Sequence, residues 1–148
     1  MFCRWRVRQA AIQLYPRLDR PGTARILGPT DNEHAGSLAA QGWRVEVVGD
    51  LAALAGADLA VVVNPNNPDG QHHPAAAVRA LGGRVGRLVV DESFADPVPE
   101  ISVAQQAGQA GMVVLRSFGK FWGLAGLRLG LPGNEPEWAR LAAAILTG

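Results

Sequence analysis

Leu59-Ala60-Val61-Val62-Val63-Asn64-Pro65-Asn66-Asn67-Pro68-Asp69-Gly70 is the stretch that decides the fold. Five apolar residues, three of them consecutive valines, stop abruptly at a polar turn with two X-Pro steps and a glycine. A run apolar at every position, rather than at alternate ones, predicts a strand buried on both faces, as in a parallel sheet covered by helices. The turn is rigid, because residues before proline are driven to extended backbone and Gly70 closes the reversal. It can aim one amide side chain at a ligand, although turn punctuation alone also accounts for it.

Four similar runs lie outward from it: Thr23 to Leu27, Arg44 to Val48, Arg87 to Val90, and Met112 to Arg116. Asn32 to Gln41 reads as a helix closed by Gly42, Leu51 to Ala55 as one capped by Asp50, and Pro74 to Leu81 as one ended by Gly82 and Gly83. A last helix is predicted from about Pro136 to Leu146. This alternation predicts an α/β fold with a mostly parallel sheet. No internal repeat, low-complexity tract or linker divides the chain.

The bulk properties agree with one folded core. The 148 residues are 48% apolar and 18% charged, with 18 Gly and 10 Pro, and a domain of this size buries roughly 70% of the surface its unfolded chain exposes. Cys3 is the single cysteine, which excludes a disulfide framework and any cysteine-based metal site. The charges, 14 basic against 13 acidic, are scattered apart from Arg4, Arg6 and Arg8, so no stripe suited to DNA is present. No apolar stretch approaches the length that spans a bilayer, and Pro16 and Asp19 break the chain soon after the early arginines, a pattern unlike a secretory signal. The expectation is a soluble cytoplasmic protein with neither nucleic-acid nor membrane partner.

The basic residues are 13 arginines and one lysine, Lys120. Guanidinium stays protonated and cannot act as an amine nucleophile, so a lone lysine is a candidate for chemistry. Chance survival of one exposed lysine is the competing reading. Position favours chemistry, because ligands bind at the carboxyl ends of strands in open α/β sheets. After Val90 comes Asp91-Glu92-Ser93-Phe94, which a helix cap or solvated edge also explains, and after the last strand comes Ser117-Phe118-Gly119-Lys120, with Arg128 behind it. Ser117, Gly119 and Arg128 together suit a phosphate. A Walker A loop fails, since it needs Gly where Val114 stands and Ser or Thr where Phe121 stands. A strand-end Asp, an Asn turn and a Ser/Lys/Arg cluster suit a phosphorylated aromatic cofactor held by an imine, pyridoxal phosphate. His72 and His73 read as loop residues, with no further ligand to make a metal site.

These residues resemble the fold-type I pyridoxal-phosphate enzymes of the class I and II aminotransferase group, and within it most nearly the threonine-phosphate decarboxylases of cobalamin biosynthesis. The resemblance rests on Gly28-Pro29-Thr30 with Glu33-His34-Ala35, on Asn66-Asn67-Pro68-Asp69-Gly70, on Val90-Asp91-Glu92, and on the run from Ser117 to Gly130 containing Gly119-Lys120 and Gly126-Leu127-Arg128. It covers about Gln9 to the final helix. It implies a three-layer αβα sandwich, the large domain of such an enzyme, and a homodimer. Carried over residue by residue, Lys120 would form the imine with the cofactor and later shuttle a proton, while Asp91 would face the pyridine nitrogen. Asn67 would bond the ring's 3-oxygen, Ser117 and Arg128 would hold the phosphate, and His34 would support Asp91. His34 also reads, without the resemblance, as a solvated helix residue.

Departures accompany the matches. Asp31 stands where the family usually has an aromatic residue against the cofactor ring, and Phe94 stands where aminotransferases often have Tyr. Val7-Arg8 replaces the Gly-Ser of the family's phosphate loop. Residues 1–8 therefore read as an atypical segment and residues 9–148 as a partial large domain, with the small C-terminal domain absent. The implied activity is decarboxylation of L-threonine O-3-phosphate, a phosphorylated amino acid, to (R)-1-aminopropan-2-ol phosphate. The alternatives are a histidinol-phosphate-type aminotransferase and, in another class, a non-catalytic cofactor-binding remnant.

Overall fold

The computed structural model describes residues 7–117 and 119–121. Five strands, β1 (Thr23–Leu27), β2 (Arg44–Val48), β3 (Leu59–Val63), β4 (Arg87–Asp91) and β5 (Met112–Leu115), form one sheet in the order β2-β1-β3-β4-β5. Every neighbouring pair is parallel. Helices α1 (Val7–Leu14), α2 (Glu33–Ala40) and α3 (Ala75–Arg79), with short 3-10 turns, supply the connections.

Side-chain alternation divides the core into two layers, one on each face of the sheet. Leu59 and Val61 of β3 and Val89 of β4 pack with Ile12, Tyr15 and Leu38 of the α1–α2 side. Ala60, Val62, Leu88 and Val90 pack with Leu54, Val78 and Val103 on the other side. Both faces being covered, all five residues of β3 are buried, which is why its sequence is apolar throughout rather than alternating. The three-layer α/β architecture expected from the sequence is the one observed.

The strands match the sequence-based spans closely, with β4 one residue longer, to Asp91, and β5 one shorter, to Leu115. The helices differ more. The segment expected as a helix over Leu51 to Ala55 is one 3-10 turn, Ala52–Leu54, although Asp50 Oδ1 accepts the Ala53 amide at 2.9 Å as a cap should. The helix expected from Pro74 to Leu81 is regular only over Ala75–Arg79 and unwinds through turns that run on to Arg84. So short a helix has little cooperativity of its own, and its packing sets its ends. The predicted helix from Pro136 to Leu146 lies outside the described residues.

The strand order places the change of direction between β1 and β3, since the chain moves outward to β2 on one side and to β4 and β5 on the other. Crevices at such switch points, at the carboxyl ends of the strands, are where open α/β sheets bind ligands. The register brings those ends level: Val63 pairs with Asp91, and Asp91 with Leu115. Gly28, the first residue beyond β1, is confined against the neighbouring strand, for a Cβ there would meet Val47 Cγ1 at 2.4 Å. Among the described residues no helix is long and apolar enough to cross a membrane.

Candidate active site

Asp91 is the last residue of β4, and its parity with Val89 turns it to the face covered by α1 and α2. It is wholly buried. His34, in the first turn of α2 and equally buried, meets it with Nε2 at 3.0 Å from Oδ2. Burial overturns the reading of His34 as a solvated helix residue. The other carboxylate oxygen, Oδ1, accepts the Ser93 amide at 3.0 Å and the Ser93 hydroxyl at 2.5 Å. On the far side of the imidazole, the Tyr15 hydroxyl lies 2.9 Å from Nδ1, and the two rings are tilted at 37° with centroids 5.8 Å apart. Three donors thus converge on one buried carboxylate, an arrangement matched to its ionised, acceptor-only form.

The loops after β1 and β3 join across the switch point. Asn66 Nδ2 donates to Pro29 O at 2.9 Å, Thr30 Oγ1 to Asn67 O at 3.3 Å, and Asn67 Nδ2 to Asp31 Oδ2 at 3.4 Å. Asp31 also accepts the Glu33 amide at 3.2 Å through Oδ1, so the residue that replaces an aromatic here orients the start of α2 and touches the Asn67 amide. Asn64 is buried and pins the far end of the same turn, exchanging hydrogen bonds with the His73 backbone at 3.0 and 2.8 Å. The Gln71 amide and the Asn66 side chain hold the Asp69 carboxyl below its ordinary value. Burial, with His72 alongside, pushes the His73 imidazole down.

Ser117 and Lys120 follow β5, beside β4, on the edge at which Asp91 ends its strand. Lys120 is exposed, with Nζ 5.4 Å from the centre of the Phe94 ring, a cation-π contact. Arg128 lies outside the described residues, as does Phe118. Among the described residues no group of three or more His, Cys, Asp or Glu side chains could hold a metal ion.

Glu92 is wholly buried too, on the opposite face, which excludes a solvated edge as the reason for the carboxylate pair. Its Oε1 accepts the Val103 amide at 2.6 Å, and its Oε2 accepts from Ser102 Oγ at 2.7 Å and lies 3.1 Å from Arg116 Nε. The same guanidinium reaches Asp96 Oδ1 at 2.8 Å and Ser102 Oγ at 2.9 Å. Arg116 thereby anchors the chain immediately before Ser117. Sequence reasoning missed Tyr15, Ser93 and Arg116 as parts of this neighbourhood. Tyr15 did carry a signal, being the only tyrosine in the chain.

Residues 37–144 match the family model for aminotransferase class I and II. The chain is 47% identical over 142 residues to a threonine-phosphate decarboxylase of a Sinorhizobium species, covering 90% of this chain and 43% of that protein. It is 42% identical over 145 residues to a threonine-phosphate decarboxylase of Pseudomonas aeruginosa, covering 93% and 44%. A histidinol-phosphate aminotransferase of Syntrophotalea carbinolica is 39% identical over 98 residues, covering 66% and 27%. Among solved structures, an L-threonine-O-3-phosphate decarboxylase from Porphyromonas gingivalis has the same fold, with a TM-score of 0.78 at 23% identity over 93% of this chain and 48% of that one. The chain spans less than half the length of these relatives.

Proposed function

We propose, since the chain belongs to the class I and II aminotransferase family, that it forms much of a pyridoxal-phosphate site serving decarboxylation of L-threonine O-3-phosphate to (R)-1-aminopropan-2-ol phosphate, a cytoplasmic step of cobalamin biosynthesis. The observation that carries the cofactor assignment is the buried carboxylate of Asp91 with donors on both oxygens, a charge suited to a protonated ring nitrogen. The relatives of 47% and 42% identity carry the choice of substrate.

The residues on the carboxyl edge fit the cofactor's chemistry. Lys120 would attach it, Asp91 would face the ring nitrogen, Asn67 the 3-oxygen, and Ser117 with Arg128 the phosphate. Pyridoxal phosphate supplies a sink for the electron pair released when a bond at the substrate's α-carbon breaks. His34 and Ser93 hold the Asp91 carboxylate in place, and from there it would meet the ring nitrogen. Lys120, the chain's only ε-amine, would move the proton at the α-carbon once the carboxylate has left as CO2. Which bond breaks depends on the groups that orient the substrate's carboxylate and phosphate. In the family a second copy of the chain contributes to that pocket, so a homodimer belongs to this reading.

Borohydride treatment in the presence of pyridoxal phosphate should fix the cofactor covalently to the Lys120 peptide, and Lys120→Arg should abolish that adduct. An adduct unchanged in the variant overturns the assignment. Joined to the remaining segments of the Pseudomonas aeruginosa relative, the chain should release CO2 from L-threonine O-3-phosphate with no keto acid added. The 39% identical aminotransferase supports the second reading. It wins if the chimera instead transfers the amino group of histidinol phosphate to 2-oxoglutarate. Cofactor attachment with neither activity supports a non-catalytic remnant.

A further inference from the structure

We propose, resting on the reading of Asp91 as the group facing the cofactor, that Tyr15 is a positioning residue: its hydroxyl donates to His34 Nδ1 and, together with Asp91, holds the imidazole in place as the Nε2–H tautomer. An ionised carboxylate only accepts, so the nitrogen 3.0 Å from Asp91 Oδ2 must carry a hydrogen. In the neutral ring the other nitrogen is then an acceptor, and the Tyr15 hydroxyl 2.9 Å away is the donor that satisfies it. Without that donor, Nδ1 would lose the hydrogen bond that complements the Nε2–H form. The Nδ1–H form would set a lone pair of Nε2 against the carboxylate.

The surroundings of Tyr15 hold it in place for this. It is 1% exposed and packs among Ile12, Ile26, Leu38 and Trp43. Two side chains grip the backbone on either side of it: Ser37 Oγ donates to Ile12 O at 2.7 Å, and Trp43 Nε1 donates to Pro16 O at 2.9 Å. Ser37 lies on α2, the helix that carries His34, so the hydroxyl and the imidazole are fixed in one frame. The phenol thus reaches the carboxylate at the sheet edge from the core, two hydrogen bonds away.

Nitrogen-15 spectra of the histidine rings in the cofactor-free 148-residue chain read this directly, and in a His72→Gln, His73→Gln background His34 is the only histidine. The expected result is one protonated and one unprotonated ring nitrogen, Nε2 bearing the hydrogen and Nδ1 shifted as a hydrogen-bond acceptor. In Tyr15→Phe the acceptor shift at Nδ1 should vanish while Nε2, facing Asp91, keeps its hydrogen, and that hydrogen should exchange with solvent about fivefold faster. Spectra unchanged by Tyr15→Phe, or a wild-type ring protonated on Nδ1, overturn the proposal. Should Tyr15→Phe fail to fold, a through-bond correlation between the Tyr15 hydroxyl hydrogen and His34 Nδ1 in the otherwise unmutated chain supports the proposal, and its absence overturns it. Pyridoxal phosphate enters only in a second arm. If it leaves the His34 signals unmoved while the Tyr15 effect is present, the cofactor reading fails and the tautomer assignment stands.

Discussion

Asp91 and Glu92 are adjacent, carry the same charge and are both wholly buried, yet they belong to different machines. Asp91 accepts from His34 and from the amide and hydroxyl of Ser93. Glu92 is tied to Arg116, with Ser102 and the Val103 amide completing its shell. The donors named around Asp91 are an imidazole, an amide and a hydroxyl, whereas Glu92 has a guanidinium 3.1 Å away that offsets much of its charge. The alternation of a strand and its exit, one residue per face, separates the two functions without any separation in sequence. One carboxylate is the group proposed to meet the cofactor, and the other is bound to Arg116, just before Ser117.

That division can be broken by substitution. The largest effect is expected from Arg116→Ala, which takes the guanidinium from buried Glu92 and should lower stability by about 3–5 kcal/mol in urea unfolding. A loss below about 1 kcal/mol would mean that Glu92 is satisfied by Ser102 and Val103 alone. Next comes Asp91→Asn, which keeps size while removing the charge. It should weaken pyridoxal-phosphate binding by about tenfold to a hundredfold in an absorbance titration, the worth of a charge-assisted hydrogen bond. Glu92→Gln, which acts on the cofactor only through the Arg116 anchor before Ser117, should weaken binding less than Asp91→Asn does. Equal losses in the two variants would erase the distinction drawn between the faces. The smallest effect is expected from Ser93→Ala, which removes one donor to Asp91 Oδ1 while the backbone amide remains. Its cost should be about 1 kcal/mol of stability, with a measurable but lesser weakening of cofactor binding.

The sheet was legible in the residues because burial on both faces leaves only one kind of sequence for a central strand, apolar and β-branched without alternation, as at Val61-Val62-Val63. The common edge of the polar clusters was legible for a related reason: in a parallel sheet the segment after a strand emerges at the carboxyl edge, so the order of the residues alone assigns Asn67, Asp91, Ser117 and Lys120 to one edge. Local sequence could not settle the short helices around Leu51 and Pro74, whose lengths are set by packing rather than by propensity. Nor could it settle what each of the paired carboxylates would touch. His34 reaches Asp91 across 57 positions and Tyr15 reaches His34 across 19. The sequence by itself determined the layers, the strands and the edge on which the chemistry-bearing residues lie. Only the tertiary structure decided that Asp91 sits in a line from Tyr15 through His34 and that Glu92 sits in a knot with Arg116, because hydrogen bonds between distant positions depend on how helices α1 and α2 dock on the sheet, and no local pattern records that.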